Sequence, residues 1–467
     1  MRHFSRPITS LLVVTFGLIV SLIYFQRAEI YHLYSEATGE SANLVVLSKT
    51  PMTRRVPIWR HLAQGGEDLT TNMLTPIEPK LRSLEAETIR LDHVLSGYDV
   101  VAKDQSGNLT FNWTRLDDII NTITRLGATP MLSLSYMPPA ISSGDITDAP
   151  RDWNDWALVV QRTIEHYSKD LNLANVAYEV WNEPDLFGKW STHGRKNYLN
   201  LYRYAAIGAG RVQGAQPFRF GGPALTGAYP AWLDSFLNAA ETENLRLNFL
   251  SWHRYSRAIE DYQNDIEMVR AVLERYPSLA GSVQLYVTEV GPTSEVDPVY
   301  DTTFAAAHLV AVTRVLWGRV DRLYTFEIVD GPSPTAQPFW GRWGIITHPE
   351  TGGFVKPRFD ALRFLNRLEG EQLTVKGEGT WVKALAAQDS QGIINLVVVN
   401  YDPLNRHREE VPLVIDQLDP GTYQLRQSLI GGGTVTNAIT VTADSPLAAS
   451  LNLPPQAVML LEVIPQP

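Results

Sequence analysis

The chain has 467 residues, 44% hydrophobic and 19% charged, an ordinary globular composition with room for one large domain and a smaller one. Its 40 basic against 50 acidic residues give a net charge of −10, which argues against nucleic acid as a partner and leaves a neutral, sugar-like ligand open. The absence of cysteine excludes thiolate metal sites, cysteine nucleophiles, disulfides and a cysteine-borne lipid anchor.

At the N-terminus, Arg2 and Arg6 precede residues 8–25, an uncharged run rich in Leu, Val, Ile and Phe. As a helix this run would be ~27 Å long, close to the ~30 Å hydrocarbon core of a bilayer. No small-x-small cleavage site follows Tyr24-Phe25-Gln26-Arg27. The run therefore reads as an uncleaved transmembrane anchor, its basic end cytoplasmic and the body extracytoplasmic. Secretion after signal cleavage is the alternative. The expected division is 1–28 anchor or signal, 29–55 linker and lead-in, 56–370 a barrel, and 371–467 a β-rich tail.

From residue 56 short β-rich runs alternate with longer helical ones. The strands are expected at 56–63, 88–94, 129–134, 176–181, 218–221, 247–252, 283–288 and 322–326. Between them lie helical stretches at 115–126, 153–167, 198–213, 232–241, 261–276, 303–317 and 358–368. Leu116, Ile119, Ile120 and Ile123 carry the i, i+3, i+4, i+7 stripe of a helix packed on a sheet. This alternation predicts an α/β fold, a (β/α)8 TIM barrel whose βα loops form the working face. After about Glu371 the helical period vanishes, and short runs between Gly, Pro and Asp turns predict a small antiparallel β-sandwich that supports the barrel.

Two strands end in carboxylates. Tyr178-Glu179-Val180-Trp181-Asn182-Glu183-Pro184 breaks into a turn at Glu183, and the run from Val283 to Glu289 turns at Gly291-Pro292. Counted along the chain, Glu183 follows strand four and Glu289 strand seven, on opposite sides of a barrel mouth. Two facing carboxyls are the minimal equipment for cleaving a glycosidic bond. One protonates the leaving oxygen while the other attacks or activates water. Asn182, beside Glu183, offers an amide to a sugar hydroxyl. The histidines show no H-E-x-x-H spacing and no nucleotide motif is present, so neither metal nor cofactor is expected.

Residues 178–186 (YEVWNEPDL), Gly221-Gly222-Pro223-Ala224, 249–255 (FLSWHRY), 287–289 (VTE), Lys356-Pro357 and 131–140 (MLSLSYMPPA) resemble glycoside hydrolase family 39. This is the family of β-xylosidases and α-L-iduronidases, in a clan of (β/α)8 retaining glycosidases. The resemblance runs from about Trp59 to Leu368. It implies Glu183 as acid/base and Glu289 as nucleophile, with Arg90 of Thr88–Asp92 (TIRLD) supporting the nucleophile's charge. His253 and Tyr255, ending strand six, are placed to hold Glu289 or a sugar hydroxyl.

Two departures bear on substrate. Asp92-His93 stands where the β-xylosidases carry a His shortly after the strand-two Arg, and Asp185 stands where they have Asn. The expected sugar pocket is therefore altered around Asp92, and xylose does not follow. Phe339, Trp340 and Trp343 in loop 331–356 offer faces for sugar stacking or cover the rim, and Glu327 is a candidate for binding a hydroxyl. The expected function is a membrane-anchored, extracytoplasmic retaining glycoside hydrolase acting on an oligo- or polysaccharide. An endo-acting exopolysaccharide-trimming enzyme and a noncatalytic sugar-binding surface protein are the alternatives.

Overall fold

The computed structural model describes residues 39–52, 56–442 and 445–466. The expected anchor at 8–25 lies outside the described residues. Among the described residues no helix is long and apolar enough to cross a membrane.

The first strand, β1 (Leu44–Pro51), joins the C-terminal sheet, although it falls in the stretch expected as a lead-in. The barrel begins with β2 (His61–Gln64) and β3 (Thr88–Leu91). A hairpin of β4 (Val101–Lys103) and β5 (Leu109–Phe111) fills the next connection. It is closed by Asp104, whose side chain accepts from the amides of Ser106 and Asn108 at 2.8 and 2.9 Å. The remaining barrel strands are β6 (Thr129–Ser133), β7 (Ala177–Glu179), β8 (Arg219–Leu225), β9 (Phe249–Tyr255), β10 (Gln284–Gly291) and β11 (Arg322–Phe326). All eight pair in parallel and in chain order, and β11 closes on β2. Strand β2 starts later than residue 56 because Pro57 lacks the N–H a parallel ladder needs.

Around the barrel lie α1 (Thr114–Arg125), α2 (Trp153–Ile164), α3 (Tyr198–Arg211), α4 (Pro230–Thr242), α5 (Ile259–Leu273), α6 (Thr303–Leu316) and α7 (Pro357–Leu365). Asp152 caps α2 and Asn197 caps α3, each accepting from the amide two residues on. In α1 the predicted stripe of Leu116, Ile119, Ile120 and Ile123 is buried, worth about 1.5–3 kcal/mol per side chain. Helix α6 is different, because Ala305 to Val312 are buried on every side. A helix apolar all round needs cover on both faces. Here the barrel lies on one side and the C-terminal sheet on the other.

That sheet adds β12 (Glu371–Lys376), β13 (Val382–Gln388), β14 (Ile394–Asn400), β15 (Glu409–Asp416), β16 (Gly421–Leu429), β17 (Thr434–Val441), β18 (Leu447–Leu453) and β19 (Val458–Pro465). Its hydrogen bonding is continuous through nine strands in the order β17-β16-β19-β14-β13-β12-β1-β15-β18. The expected antiparallel pattern holds except at β1, which lies antiparallel to β12 and parallel to β15. One face wraps a core containing Leu44, Val46, Leu396, Leu413, Leu425 and Leu461. The other sends Val397, Val399 and Leu460 into the barrel's own core. Arg314 of α6 binds Glu378, and Tyr401 OH donates to the Arg257 carbonyl at 2.7 Å, fastening the two units.

Candidate active site

Strand alternation decides which side chains enter the barrel. Met131, Ala177, Phe249, Tyr286, Tyr324 and Phe326 form its inner core. Leu62, Ile89, Leu132, Tyr178, Leu250 and Leu323 face the helices. By the same parity Arg90, Ser133, Glu179, Ser251, His253 and Tyr255 point inward above the core. Glu289 would not, because it shares the parity of Leu285 and Val287, which pack outward. The β10 register against β9 slips by one residue between Val287 and Glu289. That bulge at Thr288 reverses the alternation and turns Glu289 into the mouth.

Glu183 is placed by an elbow beyond β7. Trp181 and Glu183 both adopt left-handed backbone, at φ 76° and 45°, a conformation that costs an L residue roughly 1–2 kcal/mol. Packing holds it there. The Trp181 ring is fully buried against Tyr136, Trp156 and Trp190, and its carbonyl accepts from Ser133 at 2.9 Å. The Glu183 amide donates to the Ala224 carbonyl, and its own carbonyl accepts from the amides of Leu186 and Phe187.

Atoms of Glu183, His253 and Glu289 lie within 4.8 Å of one another. His253 Nδ1 sits 2.8 Å from Glu183 Oε1 and 3.5 Å from Glu289 Oε2. Glu289 Oε1 accepts from Arg90 Nη1 at 3.0 Å, and Oε2 accepts from Tyr255 OH at 2.7 Å. Arg90 Nη2 also donates to Asn182 Oδ1 at 2.7 Å, which leaves the Asn182 amide nitrogen outward, donating to Tyr136 OH at 2.9 Å. Two carboxylates and an imidazole also make a donor set for a metal ion. Arg90 already places a positive charge against that set.

Burial raises the Glu289 pKa, and the charges of His253 and Arg90 only partly oppose it. For His253 burial alone would lower the pKa, but Glu289 and Glu183 outweigh it and favour the imidazolium. Burial together with the Glu289 charge holds Tyr255 as a neutral phenol, a donor. Asp92 is buried, yet His93 and Arg90 overcome that burial and keep its pKa low. It accepts from the His93 amide at 2.6 Å and from Ser135 OH.

The other candidates divide. Trp343 reaches the mouth, packing on Phe326 and donating from its indole to the Glu295 carbonyl at 3.2 Å, with the Arg342 guanidinium 3.6 Å above its ring. Glu327 is fully buried, its Oε2 receiving Gln64 Nε2 and the Gly65 amide at 3.3 Å each. Burial, then Glu67 and Asp330, push its pKa well up, so it carries a proton it can donate. Trp340 contacts Arg342 at 5.6 Å, and among the described residues the contacts of Glu183 and Glu289 do not include it. Asp185 is turned to the next loop, accepting from the Thr226 amide at 3.1 Å. Three further residues meet the site: Glu179 on Arg90, Tyr136 on Asn182 and Gln64 on Glu327. Glu179 was legible in principle, as an acid of inward parity in a buried strand.

The chain matches the family model for glycosyl hydrolases family 39 over residues 62–415. It is 27% identical over 342 residues to a β-xylosidase of Geobacillus stearothermophilus, a match covering 65% of each chain. It is 26% identical over 337 residues to a β-xylosidase of Caldicellulosiruptor saccharolyticus, covering 65% of this chain and 66% of that one. The chain thus spans just under two thirds of the curated relatives it matches. Its fold is similar to a monomeric β-xylosidase from Caulobacter crescentus CB15, with a TM-score of 0.76 at 20% identity over 91% of this chain and 100% of that one. With the family model matched across the barrel and into the sheet, the chain belongs to glycosyl hydrolases family 39.

Proposed function

We propose that the protein is a retaining glycoside hydrolase with Glu289 as nucleophile and Glu183 as acid/base. The observation that supports this most is the approach of the two carboxylates within 4.8 Å. Retaining enzymes hold the pair ~5–5.5 Å apart, whereas inverting enzymes leave ~6.5–9.5 Å for a water. A Glu289 oxygen bonds to the anomeric carbon as the bond to the leaving oxygen breaks, and Glu183 gives that oxygen its proton. Glu183 then takes a proton from water, the water oxygen bonds to the same carbon, and the Glu289 ester breaks. Arg90 and Tyr255 hold Glu289 between them for in-line attack. Asn182, Asp92, Glu327 and Trp343 would bind the sugar. The substrate is an oligo- or polysaccharide. β-Xylosides are the first to test because the curated relatives are named for them, although Asp92, buried beside Arg90, alters the pocket.

Residues 8–25 are proposed to anchor the chain with its body extracytoplasmic, on the strength of the uncharged run and of Arg2 and Arg6 before it.

Aryl glycosides test the chemistry. Glu289→Ala should leave almost no turnover and regain some with azide, giving the inverted glycosyl azide. Glu183→Ala should still release good leaving groups and be rescued by azide with retention. Exchanged stereochemistry would reverse the two roles, and a wild-type protein inert on every glycoside would end the reading.

A further inference from the structure

Glu179 is fully buried on β7, below the level where a sugar would lie. Its Oε2 accepts from Arg90 Nε at 2.7 Å, while its Oε1 has no hydrogen-bond partner among the described residues. A buried carboxylate with half its acceptors unused is expensive to keep. Packing gives no reason for it, since an apolar side chain would fill the same space. Charge does give one.

In the resting site Arg90 is balanced by two carboxylates in direct contact, Glu179 and Glu289. Burial by itself would lower the Arg90 pKa; Glu179, then Glu289, then Asp92 overcome it and keep the guanidinium charged. Attack consumes one of these anions. When the Glu289 oxygen bonds to the anomeric carbon, the leaving oxygen departs with the Glu183 proton and Glu289 becomes a neutral ester. Arg90 would then touch only the Asn182 amide if Glu179 were absent. A charge left uncompensated in a buried pair is strongly destabilising.

We propose that Glu179 is a positioning residue, the permanent counter-ion of Arg90, which keeps that cation compensated through the covalent intermediate and limits how strongly it holds Glu289 before attack. This rests on Glu289 being the nucleophile. The groups facing Glu289 are Arg90 from β3, Tyr136 beyond β6, Glu183 beyond β7, and His253 and Tyr255 from β9, while Asp92, just beyond β3, acts on Arg90. Those facing Glu179 are Arg90, Tyr198 from α3 and Tyr324 from β11.

The test is Glu179→Gln, which keeps shape and removes charge. With Arg90 no longer shared, ionised Glu289 is stabilised. The acidic limb of kcat/KM for an aryl glycoside should move to lower pH by about one unit, and kcat should fall about 100-fold or more while KM changes little. Glu179→Asp keeps the charge and should keep the limb. A carbon-13 titration of the Glu289 carboxyl, assigned with Glu289→Gln, reads the same shift without substrate. An unmoved limb and carboxyl in Glu179→Gln, or an equal shift in Glu179→Asp, would overturn the proposal. If Glu179→Gln does not fold, the Arg90→Gln/Glu179→Gln double variant should; its failure to fold would make Glu179 a packing residue. A shifted titration in a protein inert on every glycoside would leave the counter-ion in place and remove the nucleophile.

Discussion

Replacing Lys356 by methionine should destabilise the protein in a way that depends on pH. Lys356 is fully buried just before α7. Its Nζ lies 2.7 Å from Asp330 Oδ2, 2.7 Å from Asp301 Oδ1 and 2.8 Å from the Arg342 carbonyl it donates to. It thus ties the loop carrying Glu327 and Trp343 to the lead into α6. Breaking a buried pair from one side costs about 3–5 kcal/mol. Burial pushes the Asp330 pKa up to about 6, against the pull of Lys356. With a folded value above the ordinary 3.8, its contribution to stability is present below 3.8 and lost as pH rises through about 6. Without Lys356 the value climbs further, so near pH 5 the variant holds Asp330 protonated and Asp301 alone faces the lost cation. The deficit should shrink by about 1–2 kcal/mol there, the share carried by the Asp330 charge. Urea unfolding followed by tryptophan fluorescence at about pH 7.5 and pH 5 measures both values. Equal deficits at the two pH values, or one below about 1 kcal/mol at the higher pH, would refute the reasoning.

Tyr255→Phe removes a hydrogen bond that holds the Glu289 pKa down against its burial, so the acidic limb of kcat/KM should move to higher pH, opposite to Glu179→Gln. A pH profile on one aryl glycoside decides it. Gly377→Ala should weaken the C-terminal sheet by about 1–3 kcal/mol, because a Cβ there would lie 1.7 Å from the Asn43 carbonyl oxygen and the backbone φ is +80°. Thermal unfolding of purified protein checks this, with little change in Tm counting against it. Full-length protein should sediment with membranes, resist high-salt extraction and dissolve in detergent, since screening releases only charge-adsorbed proteins. Recovery of a chain beginning after Phe25 in the medium would replace the anchor with a cleaved signal.

The eight-strand alternation was legible because each barrel strand is a short apolar run and each helix shows a 3.6-residue stripe. Strand β1 was not, because Leu44–Pro51 lies more than 300 residues from its partners and no local pattern records that pairing. Glu183 and Glu289 stand out through their turns. What brings Glu289 inward is a one-residue bulge at Thr288, which strict alternation cannot display. Arg90, His253 and Tyr255 share the inward parity of their strands and so meet the pair in space. Asp185 and Trp340 lie in loops, and loop side chains are aimed by contacts the sequence does not list in order, as Thr226 aims Asp185. Glu179 has the inward parity of a barrel strand, but nothing in the sequence marks Arg90 as its partner.

The insertion of β1 between β12 and β15 has a consequence for biosynthesis. Val45 pairs with Val414, so the sheet joins strands more than 360 residues apart along the chain. At ~5–20 residues per second, roughly 20–70 seconds of translation separate the two. The barrel strands emerge in the order in which they pair, whereas β1 waits for β12 on one edge and for β15 on the other, with Leu44 and Val46 uncovered until the sheet is complete. Nascent chains stalled before Glu409 should therefore engage chaperones or aggregate through this segment, even with a finished barrel behind it.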